Sequence, residues 1–239
     1  RTFIHGTPGF EAADKYYADR MVKTMLWLYG GWKVYISGDE GIYEYIRAAY
    51  TPEGSRAFDQ DFMAGVYERP FEVVSCAELP AEKSNPQAIG RHLDGCRIGF
   101  DAGGSDRKVS AVIDGQTVYS EEVVWHPKTS EDLSYQYDGI VSAFKTAASK
   151  LPRVDGIGVS SAGTFVGNSP MVSSLFLKIP RAQREQVKSI YDRAAKEIGD
   201  VPIVVANDGD VTALAGAMSL QDGCVMGLAM GTSEAAGYI

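Results

Sequence analysis

Between residues 97 and 124 the sequence spells three strands in succession, and the turns between them leave little freedom in how they pair. Arg97 to Asp101 is a short strand-like run, Gly103 and Gly104 turn the chain, and Lys108 to Asp114 runs back. Asp114-Gly115 is a tight-turn pair, and Gln116 to Val124 is a third run rich in β-branched residues. Strands joined by connections this short form an antiparallel meander.

After residue 124 the pattern changes to alternating helix and strand. Ser130 is placed to cap a helix, with Glu131 and Asp132 in its first turn and Leu133, Tyr137, Ile140, Phe144, Ala147 and Leu151 on one face. Val154 to Ser160 reads as a strand, Arg181 to Ile198 as a helix closed by Gly199, and Pro202 to Ala206 as a buried strand. Asp208 to Met218 reads as a helix, Cys224 to Met230 as a strand, and Ala235 to Ile239 as a last strand that runs to the final residue. A meander followed by strand–helix alternation predicts an α/β domain, with a mixed sheet flanked by helices.

Residues 79–94 hold Pro80, Pro86, Gly90 and many polar side chains, and are expected to form a linker. They separate a small α/β block of unknown role, 1–78, from the main domain, 95–239. In the first block Phe10 to Tyr29 has helical spacing and stops at Gly30-Gly31. Lys33 to Ile36 is a strand, Gly38-Asp39 opens a helix that runs to Tyr50, and Phe71 to Val74 is a second strand. Its many aromatic residues are assigned to core and interface packing.

Composition narrows the function classes. The net charge of −8 disfavours a nucleic-acid partner, because the lysines and arginines form no strong local patch. No apolar run approaches the roughly 20 residues of a membrane span. Cys76, Cys96 and Cys224 make no CxxC pair, which favours a reducing compartment such as the cytoplasm and argues against zinc. His5, His92 and His126 share no metal-binding spacing, and no nucleophile elbow of a hydrolase is present.

Four segments carry chemistry. In Asp101-Ala-Gly103-Gly104-Ser105 a strand delivers an acid and two glycines turn the chain, which lets backbone N–H groups approach an anion. An acid beside bound phosphate implies a divalent metal, held directly or through water. Gly163-Thr164 follows a strand and a run of small residues. Asn207-Asp208 ends a buried strand and begins a helix, where an acid either caps the helix or accepts a hydroxyl proton. Gly231-Thr232-Ser233 is a second strand–Gly–hydroxyl turn suited to phosphate.

In this order the segments resemble the actin, hexokinase and heat-shock ATPase superfamily, and Asn207-Asp208 with the small residues that follow is similar to the corresponding stretch of the ROK-type (glucokinase-like) sugar kinases. The resemblance covers about 97–239. It implies a ribonuclease H-like (actin-like ATPase) domain that phosphorylates a sugar hydroxyl with ATP and Mg²⁺. By it Asp208 is the catalytic base, and Asn207, Gly163 and Thr164 face the sugar. Gly103, Gly104, Ser105, Gly231, Thr232 and Ser233 bind nucleotide phosphate, and Asp101 is the Mg²⁺-associated acid, acting through water. It further implies ATP and a small sugar as partners, a homodimer, and a lobe cut off before the second half of its fold. A non-catalytic sugar or nucleotide sensor of the same family is the alternative. The pattern departs from the family at Asp106, where a basic residue is common, and at Glu234-Ala235-Ala236, where glycine is more frequent.

Overall fold

The computed structural model describes residues 6–83, 93–230 and 234–239. The chain divides into two compact units, Arg1–Pro86 and Gln87–Ile239.

In the first unit, helix α1 (Glu11–Tyr29) ends where Gly30 turns to φ 74° and donates its N–H to Leu26 O. Strand β1 (Lys33–Ile36) leads into α2 (Glu40–Ala49), whose N-cap Asp39 accepts from Ile42 N at 2.8 Å. A further helix, α3 (Ala57–Tyr67), precedes β2 (Glu72–Ser75). The sequence reading did not include α3, although Phe58, Phe62 and Val66 recur at helical spacing. β1 and β2 pair in parallel, which requires a crossover of the length that α2 and α3 supply. Leu26, Ile42, Ile46 and Met63 form the core. Tyr50 is buried and stacks on Phe71 at 5.2 Å, whereas Tyr16 and Tyr29 are exposed. Two buried acids tie α1 to α3. Asp19 pairs with Arg56, and Asp59 accepts from Trp27 Nε1 at 2.7 Å and faces Lys23 at 3.4 Å.

In the second unit the meander forms as expected. β3 (Cys96–Ala102), β4 (Asp106–Ile113) and β5 (Gln116–Val124) are antiparallel in turn, with Asp114 and Gly115 both at positive φ between the last two. Helix α4 (Leu133–Ala148) returns the chain to β6 (Gly156–Ser161), parallel to β3. A hairpin of β7 (Thr164–Val166) and β8 (Ser169–Val172) follows, then α5 (Arg184–Lys188) and α6 (Ile190–Lys196). β9 (Ile203–Asn207) pairs in parallel with β6 and passes directly into α7 (Asp208–Leu220). β10 (Met226–Met230) and β11 (Glu234–Tyr238) make an antiparallel pair apart from the main sheet. The main sheet runs β5-β4-β3-β6-β9 with only β4 opposed to its neighbours' common direction on the β3 side; this is the ribonuclease H-like order.

Burial alternates along β3: Cys96, Ile98, Phe100 and Ala102 turn to one face, where α4 and α6 cover them. Phe100 meets Phe144 of α4 edge-to-face at 5.4 Å, and Ile140, Ile190 and Tyr191 complete the layer. The opposite face carries Arg97, Gly99, Asp101, Gly158, Ser160, Val204 and Ala206, and lines a cleft of about 710 Å³ together with Val211, Leu214 and Met218 of α7.

Three local expectations are corrected. Asp132, not Ser130, caps α4: its carboxylate takes Ser134 N at 2.9 Å, while Ser130 Oγ accepts from Asp132 N. The single helix expected over 181–198 is a 3₁₀ turn followed by α5 and α6, which break at Ser189; its hydroxyl bonds back to Glu185 O and Gln186 O, a competition with the helix ladder that bends the chain. The strand expected to be buried at 202–206 buries Val205 but leaves Val204 41% exposed, because Val204 faces the cleft.

Candidate active site

β3, β6 and β9 run parallel, so their carboxyl ends meet at one edge of the sheet. The register places Asp101 beside Ser160 and Ser160 beside Ala206; one step on, Ala102, Ser161 and Asn207 are aligned. Ligands of α/β sheets gather at such an edge. Three of the four segments read from the sequence, 101–105, 163–164 and 207–208, lie at the ends of β3, β6 and β9 and share it. The fourth, Gly231, Thr232 and Ser233, lies outside the described residues.

Neither glycine of the Gly103-Gly104 turn has a positive φ, and Gly103 is required by space rather than by backbone conformation. A Cβ on Gly103 would stand 2.5 Å from the carbonyl oxygen of Asp106. A Cβ on Gly104 would strike Cε of Lys128 and stand 2.6 Å from its Nζ. Trp125 holds the turn from the side: its backbone N–H donates to Ser105 O at 3.0 Å and its indole to Gly103 O at 2.8 Å. The indole is buried against Gly139 of α4 and beneath Arg107, which donates to Gly139 O at 2.5 Å. The turn is thus anchored to the core through one aromatic ring. Asp106, already in β4, is engaged by Lys108 and by Ser105 Oγ at 2.9 Å, and both hold its carboxyl below the usual range.

Asp101 is half-buried opposite Lys108. Burial pushes its carboxyl up, Lys108 draws it down, and the charges of Asp106 and Asp208 push it up again; a hydrogen bond from Ser160 favours the ionised form. Asp101, Lys108 and Ser160 form the polar end of the cleft, whereas Asp208 does not line it.

At the start of α7 the cap is Asn207. Its Oδ1 accepts from Gly209 N at 2.8 Å, and its Nδ2 donates to Gly163 O at 2.8 Å. Both ends of this amide are therefore committed to the protein itself. Asp208 is relieved of capping, and its Oδ1 is buried without a hydrogen-bond partner among the described residues. Two residues on, the Asp210 carboxyl is raised by burial and further by the charge of Asp208. Sequence reasoning passed over Asp210, although the Asp-x-Asp spacing was visible.

Gly163 has φ 143°, and a Cβ there would meet Ser173 Cβ at 2.9 Å as well as the Val172 carbonyl. Its place is set by the β7–β8 hairpin: Ser173 Oγ donates to Ala162 O at 2.7 Å. Thr164 begins β7 and is partly exposed. On the other side, β11 lies directly on the first turn of α7. A Cβ on Gly209 would stand 2.8 Å from Ala236 N, one on Gly237 2.5 Å from Asp210 Cα, and one on Gly227 2.6 Å from Ala213 Cα. Glycines on both partners let the backbones touch and hold the β10–β11 pair against Asp208 and Asp210.

Among the described residues no group of three or more His, Cys, Asp or Glu side chains is arranged to hold a metal ion. No described helix is long and apolar enough to cross a membrane. His126 is exposed, and His5 and His92 lie outside the described residues.

No family model matches the sequence, and no curated protein does. Among solved structures the chain is similar to the Lmo2764 protein from Listeria monocytogenes, with a TM-score of 0.44, 21% identity and coverage of 59% of this chain and 46% of that one. It is similar to a ROK family transcriptional regulator homologous to the E. coli MLC protein, with a TM-score of 0.46, 16% identity and coverage of 62% and 37%. It is also similar to a ROK hexokinase from Thermus thermophilus, with a TM-score of 0.43, 17% identity and coverage of 60% and 46%. The chain spans less than half the length of each.

Proposed function

We propose that the protein is a phosphotransferase that moves the terminal phosphoryl group of ATP to the hydroxyl of a small sugar. The observation that carries this reading is the buried Oδ1 of Asp208 at the carboxyl edge of the sheet, without a hydrogen-bond partner among the described residues. A buried acceptor without a partner costs about 1–3 kcal/mol, and an alcohol donor supplied by a substrate removes that cost. The same carboxylate then accepts the hydroxyl proton as the oxygen attacks phosphorus. Asn207 supports this by carrying the helix cap, and its hold on Gly163 sets the wall formed by Gly163 and Thr164 against which the sugar lies.

Gly103, Gly104 and Ser105 take the phosphates, and Gly231, Thr232 and Ser233, outside the described residues, are assigned the same task from their sequence alone. A divalent cation fits Asp101: this half-buried carboxylate is raised by burial and feels the charges of Asp106 and Asp208, which Lys108 opposes and a cation would offset further. Mg²⁺ would rest on Asp101, through water, and on phosphate oxygens. When bound, it neutralises charge on the phosphoryl group. The reading makes the protein cytoplasmic, with ATP and a sugar as its ligands.

An ADP-release assay of the full chain with Mg²⁺-ATP against a panel of hexoses tests it. Turnover that depends on one sugar is the expected result. Thermal stabilisation by a sugar without ADP release would transfer the site to a non-catalytic sensor, and no response to any sugar or to ATP would end both readings.

A further inference from the structure

Lys128 is the charged side chain at the Gly103–Ser105 turn for which the sequence offers no explanation. It lies 24 residues from Gly104 along the chain, yet its Nζ stands 2.6 Å from where a Cβ of residue 104 would be. Its backbone is held firmly. Pro127 is buried, its carbonyl accepts from the fully buried Gln136 Nε2 at 2.9 Å, and Thr129 Oγ1 donates to His126 O at 3.0 Å. Of the other cations nearby, Lys108 is paired with Asp106 and Arg107 donates to Gly139 O. Lys128 makes no hydrogen bond or ion pair with any described residue.

Gly104 has no left-handed φ, so an L-residue is conformationally admissible there. What an added side chain would displace is the flexible ammonium end of Lys128. The glycine and the ammonium therefore occupy one place at the turn.

We propose that Lys128 is the cation of this turn, donating from its ammonium to phosphoryl oxygens of a polyphosphate bound along Gly103, Gly104 and Ser105; the proposal rests on the reading of the site given above. A lysine on a fixed stem places a point charge without bidentate geometry, which suits a phosphate chain whose oxygens change position as the terminal group departs.

Calorimetric titration of the full chain with Mg²⁺-ATP and with inorganic tripolyphosphate decides the matter. Lys128→Met is expected to weaken both by on the order of 10- to 100-fold, the value of one charge-assisted hydrogen bond. It should also flatten the salt dependence of binding and leave the melting temperature in place. Lys128→Arg should recover most of the affinity. Gly104→Ala, which adds only a methyl where Lys128 rests, should reproduce the loss in part, and it serves as the second variant should Lys128→Met not fold. Wild-type affinity for both ligands in Lys128→Met and Gly104→Ala would overturn the role of Lys128 while leaving the kinase reading intact. A wild-type protein that binds neither ligand would overturn the reading of the site, and this proposal with it. Loss of affinity in Lys128→Met together with a lower melting temperature and no recovery in Lys128→Arg would make the residue structural and reject the proposal.

Discussion

Asn207 Nδ2 reaches across the sheet edge to the carbonyl oxygen of Gly163, 2.8 Å away, while the other end of the same amide caps α7. One side chain thus locks the end of β9, the start of α7 and the turn after β6 into a single arrangement. Asn207→Ala should remove the cap, worth about 1 kcal/mol, and strand the Gly163 carbonyl, for a combined loss of roughly 2–4 kcal/mol. Chemical denaturation measures this directly, and an unchanged midpoint would show that the bridge contributes nothing.

Asn207, not Asp208, caps α7, and the proposed function makes Asp208 the proton acceptor. In the full chain, Asp208→Asn is expected to lower kcat on the order of 10²- to 10⁴-fold with folding preserved. Unchanged turnover would remove Asp208 from the chemistry.

Asp101 predicts a pH dependence of stability. Its folded-state carboxyl is raised above the ordinary value of 3.8, chiefly by burial. The folded protein therefore binds this proton more tightly than the unfolded chain does, and stability from this group is full below 3.8 and declines as pH rises through the raised value. Asp101→Asn removes the ionisation, so it should be more stable than wild type at pH 7, with the gain vanishing below pH 3.8. Denaturation midpoints of the two proteins across this range test the sign, and a variant less stable than wild type at pH 7 would contradict it.

The glycines between β10–β11 and α7 make a steric prediction. Gly227→Ala would drive a methyl into the backbone of Ala213 and should cost about 1–3 kcal/mol, with faster amide hydrogen exchange in β10 and β11. Protection equal to wild type would mean that the two backbones are not in contact.

The core has its own test. Phe144 is fully buried and meets Phe100 edge-to-face, so Phe144→Ala should cost about 3–5 kcal/mol. A loss below 1 kcal/mol would show that α4 is not packed on the sheet in this way.

Much of this protein was readable from local signals. The tight turns between residues 97 and 124 dictate antiparallel pairing, and the spacing of Ile140, Phe144 and Ala147 dictates a helix face, because both depend on neighbours a few positions apart. The Asp101 turn and the Asn207-Asp208 strand end were legible for the same reason, each being a short stretch of residue types with a shared backbone requirement. What only the tertiary structure decided was how polar groups divide their partners. Asn207 takes the cap and leaves Oδ1 of Asp208 without a partner among the described residues, Asp132 displaces Ser130 at α4, and Ser189 breaks a helix whose spacing was continuous. Lys128 arrives over Gly104 only because β5 closes the meander and Trp125 clamps the turn. Hydrogen bonds and charges are settled by distance in space, and sequence spacing reveals that distance only within a turn or a helix.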